Sequence, residues 1–319
     1  MDGHGDGHES QQGSPHGKGL GEDLQRMASE IMARRRALAL LTGVGSTAVL
    51  AACGGDDGAS ASSASSTSSA TTSTSTSTSS SSTSSTSSSS SGSDDSSSTC
   101  IADPSETNGP YPADGTNNAS GSTSNVLTVS GVVRSDIRSS FIGSTTTASG
   151  VALEIELELV DVNTGCAPIE GAAIYIWHCD ADGKYSLYSS GITTESYLRG
   201  VQVTDAEGKV TFTTIYPACY SGRWPHIHFE IFLDGLTSAS TGRTADLISQ
   251  LAMPAAINTA VFTGDTRYTA SIANYNAVSL SSDNVFGDNT SAQNAQMTPT
   301  VSGSLSSGYS ATAVIGIAV

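Results

Sequence analysis

Two histidines separated by a single residue, His226 and His228, carry the strongest chemical signal in the sequence. They lie in an apolar run with the composition of a β-strand, and alternate side chains of a strand share a face. Both imidazoles are therefore expected to point the same way, while Ile227, Phe229 and Ile231 point into the core. Neutral imidazoles are common metal ligands. The pair predicts a metal site, and two exposed histidines on an edge strand are the alternative for these residues taken alone.

Two tyrosines and one glutamate bear on what kind of metal site this is. Tyr220 precedes the histidines by a short turn, and Tyr185 follows the turn at residues 180–184. Glu230 is predicted to share the face of the two histidines, so a ferrous site of two histidines and one carboxylate is the competing interpretation. That motif normally has its carboxylate two residues after the first histidine, where this chain has the second histidine.

The segment from Cys100 onward carries the alternating apolar runs expected of β-strands. Turn sequences such as Asp182-Gly183 separate the runs. No helical period competes before residues 244–251, which we interpret as a short helix or a loop. The sequence thus predicts an all-β domain, an antiparallel β-sandwich with long loops and little helix. The predicted strands are Val126–Val133, Val151–Val160, Ala172–Trp177, Val201–Thr204, Val210–Ile215 and His226–Phe232.

The first region, residues 1–53, has the features of a bacterial signal segment. Arg34–Arg36 precede an apolar run too short to span a bilayer comfortably, as in a twin-arginine-like signal. The run ends Leu50-Ala51-Ala52-Cys53, which resembles a lipobox. We expect Cys53 to be lipidated and the protein to be exported, anchored to the cell envelope by this lipid, with the outer membrane as the expected destination.

Two further regions follow the signal segment. Residues 54–99 are nearly all Ser and Thr and lack the apolar side chains that would offset the entropy lost on ordering, so we expect a disordered tether. Residues 100–319 must then supply the fold, and they are enough for one domain with a substantial core.

The chain is acidic, with a formal net charge of −17. Such a surface repels phosphate backbones, which argues against a nucleic-acid partner. We interpret the acidity as an aid to solubility.

Four cysteines follow Cys53, and an even number in an exported domain favours disulfides. Four cysteines allow three pairings. Cys166 and Cys179 flank a predicted strand, so we expect that they do not pair with each other, and the remaining choices stay open.

Several short segments recur in one order along residues 100–319, and together they resemble the intradiol ring-cleaving dioxygenases. These are the catechol and protocatechuate dioxygenases, and the resemblance is strongest to their exported relatives. It implies a prealbumin-like β-sandwich. The segments are Gly109-Pro110-Tyr111, Trp177–Tyr185, Tyr197–Asp205 and Thr213–His228, with Ser249-Gln250-Leu251 and Gly308–Ala311 as later matches.

The resemblance implies one mononuclear Fe(III) held by two tyrosines and two histidines. Tyr220 and His228 would be axial, and Tyr185, His226 and a hydroxide equatorial. Fe(III) favours anionic oxygen, so it should remove a phenol proton well below the free tyrosine pKa of about 10.

The resemblance also implies catalytic roles for three residues and a place in the pocket for a fourth. Tyr220 would be displaced by the substrate and help to accept its protons. Arg223 would stabilise charge that develops on the bound ring. Gln250 matches a family glutamine that lies behind the iron ligands, and Tyr111 would line the pocket.

Some residues depart from the family pattern or have a structural interpretation. Cys219 stands where exported relatives usually have a large aromatic residue, and Leu233–Thr244 resembles no segment of the family. We expect His178 to point away from the position of Tyr185 and to be structural, and Trp177 to be a core residue.

The implied reaction is Fe(III)-dependent cleavage of a catechol-type ring with O2. The ring opens between the two hydroxylated carbons and gives a muconate-type diacid. The alternative from another class is a non-catalytic, surface-anchored β-sandwich binding module. Because no helical segment suited to assembly is apparent, a monomer or a weak homo-oligomer is expected.

Overall fold

The computed structural model of the chain describes residues 100–319. This range is the third of the three predicted regions. The signal segment with Cys53 and the Ser/Thr-rich stretch at 54–99 lie outside the described residues. Within 100–319, no helix has the length and apolar character needed to cross a membrane.

Regular structure in the described range consists mainly of strands. The strands are β1 Ala152–Asp161, β2 Ala167–Pro168, β3 Ala173–Trp177, β4 Arg199–Val203, β5 Lys209–Ile215, β6 His226–Phe232, β7 Leu247–Ala252, β8 Thr300–Ser304 and β9 Gly308–Ile317. The helices are short: α1 Ala255–Gly264, α2 Thr269–Asn276 and α3 Ser291–Gln296.

These strands form two sheets. In the first sheet β1 is central: β2 and β5 pair with it antiparallel, β9 pairs with it in parallel, and β8 pairs antiparallel with β9. The second sheet has the order β4-β3-β6-β7 and is antiparallel throughout. Buried side chains of both sheets belong to one hydrophobic core, so the predicted all-β sandwich is confirmed.

The burial of the strands follows from their sequences. Over Leu153–Glu158, buried Leu and Ile alternate with Glu at the surface, as expected for a strand with one face in the core. Strands β3 and β6 are buried at every position. One face of these two strands meets the core between the sheets, and loops cover the other face. The covered face is where the candidate site lies.

Three features of the first prediction were wrong or missing. Val126–Val133 forms turns, not a strand, because backbone bonds such as Val132 N–H to Val129 O curl the segment. Val126 and Val132 are buried, whereas Val133 is exposed. Residues 244–251 were expected to be a helix or loop, but most of them form β7, since they pair along β6. The parallel strand β9 was not predicted, although Gly308–Ile317 alternates buried and exposed residues.

The cysteines form one disulfide within the described range, between Cys100 and Cys166. The expectation that Cys166 does not pair with Cys179 is therefore confirmed. Cys179 and Cys219 are buried free thiols. The disulfide closes a loop of 66 residues and fixes the first described residue beside the turn that ends β1.

Candidate functional site

Strand β6 presents both histidines to the face of the second sheet that lies away from the core. His228 is paired across the sheet with Trp177 on β3 and with Gln250 on β7. The rings of Trp177 and His228 stack at 4.7 Å with an angle of 4° between their planes. The two neighbouring strands therefore fix the orientation of this imidazole, as the strand periodicity of the sequence predicted.

A tight turn after β3 positions the first tyrosine. The Asp180 carboxylate accepts hydrogen bonds from the backbone N–H groups of Asp182 and Lys184, at 3.0 and 2.9 Å. Such local side-chain bonds stabilise turns. The next residue, Tyr185, turns inward and is 1% exposed. The turn thus determines where this phenol enters the site.

The loop between β5 and β6 supplies the second tyrosine, Tyr220, which is 8% exposed. This loop contacts the first turn at Gly183, where φ is +78°. A Cβ atom on Gly183 would lie 3.2 Å from Cβ of Tyr220. Glycine therefore allows both the left-handed backbone and the close approach of the two segments that carry the tyrosines.

Three potential ligand atoms converge around Nε2 of His226. This atom lies 3.2 Å from Oη of Tyr185, 3.3 Å from Oη of Tyr220 and 3.1 Å from Nε2 of His228. Nδ1 of His226 donates to the carbonyl of Trp224 at 2.5 Å, so a neutral ring directs its Nε2 lone pair to the other three atoms.

The spacing and chemistry of these atoms fit one metal ion. Four ligand atoms at roughly 2.0–2.1 Å from an ion lie about 3.3 Å from one another in a tetrahedral arrangement. The measured separations are close to that value. Two phenol oxygens suit a hard, highly charged cation, and imidazole suits iron among other transition metals. The four residues that the structure brings together are the same four that the sequence analysis named as ligands.

Protonation of the four side chains follows from their burial. Burial raises the pKa of the Tyr220 phenol to about 12, and burial together with Tyr220 holds the pKa of Tyr185 well above its usual value. Burial and then the positive charge of Arg223 lower the pKa of His226 to about 3, while burial and then His226 lower the pKa of His228. Both imidazoles are therefore neutral, the form that binds metals.

Arg223 and Gln250 lie beside these four residues and are both fully buried. Nη2 of Arg223 donates to Oε1 of Gln250 at 2.6 Å, and Nε2 of Gln250 donates to the carbonyl of Thr107 at 2.9 Å. Nη1 of Arg223 is buried without a hydrogen-bond partner. Two of the three residues predicted for catalysis, Arg223 and Gln250, are thus in contact, and one donor of Arg223 remains available.

The carboxylate alternative is not supported, because the Glu230 carboxyl lies beside Asp114 and is not among the groups that contact Nε2 of His226. It is fully buried, and its pKa is raised well above the usual value by burial and by the nearby Asp114. Between Cys100 and the C-terminus, no group of three or more His, Cys, Asp and Glu side chains is placed to hold a metal ion. A site of two histidines and Glu230 is therefore not formed.

The remaining sequence expectations concern residues around the site. Tyr111 stacks on Tyr185 with ring centroids 4.8 Å apart. His178 bonds to the Cys179 carbonyl and to Thr214, as expected for a structural residue. Trp177 is buried, as predicted for a core residue.

Two buried residues of the site were missed. Arg199 donates to the carbonyls of Tyr111 and Ser186 at 2.8 and 3.0 Å, which joins the Tyr111 segment to the loop after Tyr185. The sequence offered one signal for Arg199, namely that this charged residue stands at the start of an apolar strand. Asp283, which binds Arg223, had no local signal because the two residues are 60 positions apart.

A family model described as "Dioxygenase" matches residues 143–241. Over 93 residues the chain is 37% identical to the chlorocatechol 1,2-dioxygenase of Pseudomonas sp. (strain P51), an alignment covering 24% of this chain and 37% of that protein. Over 98 residues it is 29% identical to the hydroxyquinol 1,2-dioxygenase of Rhizobium sp. (strain MTP-10005), covering 25% and 33%. Among solved structures it is similar to an intradiol ring-cleavage dioxygenase from Tetranychus urticae, with 26% identity, coverage of 59% and 87%, and a TM-score of 0.46.

The fold and site define a β-sandwich protein with a buried centre of two tyrosines and two histidines. The family model and the curated relatives support a member of the intradiol dioxygenase family. The range matched by the family model contains all four of these residues and Arg223, whereas Gln250 and Asp283 lie beyond it. The chain spans little more than a third of the length of the curated relatives it matches.

Proposed function

We propose that the protein is an Fe(III)-dependent intradiol dioxygenase. It uses O2 to cleave a catechol-type ring between the two hydroxylated carbons and releases a muconate-type diacid. The observation that carries this proposal is the convergence of Tyr185, Tyr220 and His228 within 3.3 Å of Nε2 of His226. A binding module without catalysis has no use for two neutral imidazoles and two phenols directed at one point.

The ferric ion, when bound, withdraws electron density from a catecholate so that the ring becomes reactive toward O2. Tyr220 is more exposed than the other three ligands, 8% against 1–2%, so it is the phenol best placed to leave and accept a substrate proton. The free Nη1 of Arg223 donates a hydrogen bond to charge that develops on the ring. Burial of the site excludes water and strengthens both interactions.

The proposal includes export and lipid anchoring at Cys53, which the sequence of residues 50–53 and the preceding arginines support. Residues 54–99 would then act as a tether between the lipid and the dioxygenase domain. This arrangement would place ring cleavage at the cell envelope, where the substrate is encountered outside the cytoplasm.

The test is the visible spectrum of the full chain, purified with iron, before and after catechol is added without oxygen. We expect a red-brown tyrosinate-to-iron band that shifts when catechol binds, and loss of catechol with formation of the diacid once O2 is admitted. A protein that stays colourless after ferric reconstitution would contradict the dioxygenase proposal and favour the surface-anchored binding module.

A further inference from the structure

The carboxylate of Asp283 accepts hydrogen bonds both from residues of the candidate site and from the backbone of its own loop. Arg223 donates to it through Nε at 2.9 Å and through Nη2 at 3.4 Å. The backbone N–H of Trp224 donates to it at 2.7 Å. The N–H groups of Val285 and Phe286 donate at 2.8 and 3.1 Å. Both charged side chains of the pair are fully buried.

These bonds fix the plane of the Arg223 guanidinium. Its Nε and Nη2 groups are held by Asp283 and Gln250, and Gln250 is itself held by the Thr107 carbonyl. Only Nη1 has no partner, although it is buried. A buried donor without a partner is costly, so it marks a position where a ligand atom is expected.

The charge of Asp283 is needed for this arrangement. A buried guanidinium without a counter-ion is strongly unfavourable, and removal of one partner of a buried pair usually costs more than the pair gains. The five N–H donors around the carboxylate keep it ionised although it is buried. Asp283 therefore determines the direction in which Arg223 points.

We infer that Asp283 is a positioning residue for the reaction: it holds Arg223 so that Nη1 is presented to the ring bound at the metal. This inference rests on the proposed function and extends it beyond residues 143–241. The hydrogen bonds of the Asp283 carboxylate go to Arg223 and to backbone N–H groups, not to the four candidate ligand side chains, so Asp283 acts through Arg223.

The test must distinguish the positioning of Arg223 from a purely structural role, because Asp283 also binds the backbone of its own loop. We choose Asp283→Asn, which keeps the side-chain shape and one carbonyl acceptor, and Arg223→Gln, which removes the charge that Asp283 holds. The double variant has no unpaired buried charge and is expected to fold. Asp265→Asn is the matched control, since Asp265 pairs with Arg267 near the surface at 2.5 Å.

Catechol cleavage is measured with the full chain loaded with iron. Asp283→Asn should lower kcat by about 10–100-fold, with a much smaller change in KM, because charge on the ring develops after binding. In the Arg223→Gln background the same substitution should change kcat less than about 2-fold. Asp265→Asn should leave kcat unchanged. Equal losses from Asp283→Asn in both backgrounds would overturn the inference.

A second readout does not depend on catalysis. In the iron-free full chain labelled with ¹⁵N, the Nε–H of Arg223 should exchange slowly with water, and its NMR signal is identified by its absence in Arg223→Gln. The signal should vanish or move to the position of free arginines in Asp283→Asn. An unchanged signal would overturn the inference. If the wild type cleaves no catechol, the proposed function fails, and this measurement alone decides whether Asp283 holds Arg223.

Discussion

Each of the four side chains of the candidate centre is neutral and carries a lone pair that a bound cation would accept. The two imidazoles are kept neutral by burial and by the positive charge of Arg223. The two phenols are kept protonated by burial, with pKa values raised above the ordinary one. Four neutral groups with lone pairs directed at one point gain little from one another. A hard cation would reverse the phenol equilibria and satisfy all four.

Tyr185→Phe tests this view, because it removes one ligand oxygen and leaves the ring in place. We expect iron content per chain to fall and catechol cleavage to slow by at least about 100-fold. Loss of a direct metal ligand should lower the rate more than loss of a residue that only hydrogen-bonds to a ligand. Metal analysis and oxygen uptake measure the two effects. The control is Tyr309→Phe, a buried tyrosine on β9 in the other sheet. Equal iron content and rate in both variants would remove Tyr185 from the ligand set.

Asp103 gives a prediction about pH and stability. Its buried carboxyl accepts a hydrogen bond from the N–H of Gly316, and burial raises its pKa to about 7. In the unfolded chain the pKa is about 3.9. The folded state therefore binds this proton more tightly, and the carboxyl destabilises the fold increasingly as pH rises from about 4 to about 7.

The variant Asp103→Asn mimics the protonated carboxyl and should remove this dependence. We expect it to be more stable than the wild type by about 1–3 kcal/mol at pH 8, with the difference shrinking toward zero near pH 4. Urea unfolding at a series of pH values measures the difference. A difference that stays constant with pH would show that the carboxyl does not titrate in this range.

Among the elements, the contact between the segments that carry Tyr185 and Tyr220 is the most sensitive to substitution. Gly183 and Gly191 both have positive φ, +78° and +88°, but only Gly183 approaches another residue, Tyr220. Alanine at either position should cost about 1–2 kcal/mol of stability from backbone strain. Only Gly183→Ala should also displace Tyr220.

This pair of variants separates strain from damage to the site. We expect Gly183→Ala to shift the tyrosinate-to-iron band and lower ring cleavage, and Gly191→Ala to lower only the melting temperature. The visible spectrum and thermal unfolding measure these effects. A normal band in Gly183→Ala would mean that Tyr220 is positioned by other contacts.

Elements with strictly local signals were predictable from the sequence, and those defined by distant partners were not. The alternation of β6 predicted which face carries His226 and His228, because strand periodicity depends only on neighbouring residues. β7 was missed since its strand character depends on pairing with β6. Val126–Val133 has strand composition, yet its backbone bonds close turns. Asp283 reaches the site from 60 residues away, which no local pattern indicates.

For the described part of the chain as a whole, one disulfide holds the first described residue against the first sheet. Cys100 is the first described residue, and its bond to Cys166 ties it to the sheet at the end of β1. The candidate centre lies on the second sheet, whereas the disulfide lies at the first.

The proposed anchor leads to a prediction that concerns the full chain. If Cys53 carries the lipid, Cys53→Ser should move the protein from the membrane fraction to the soluble fraction and abolish incorporation of labelled palmitate, because the hydrophobic contribution of the acyl chains is lost. Catechol cleavage per folded protein should stay unchanged, since the domain at 100–319 carries every residue of the candidate centre. Fractionation, labelling and oxygen uptake test these three expectations. Retention of the serine variant in membranes would show that another part of residues 1–99 holds the protein there.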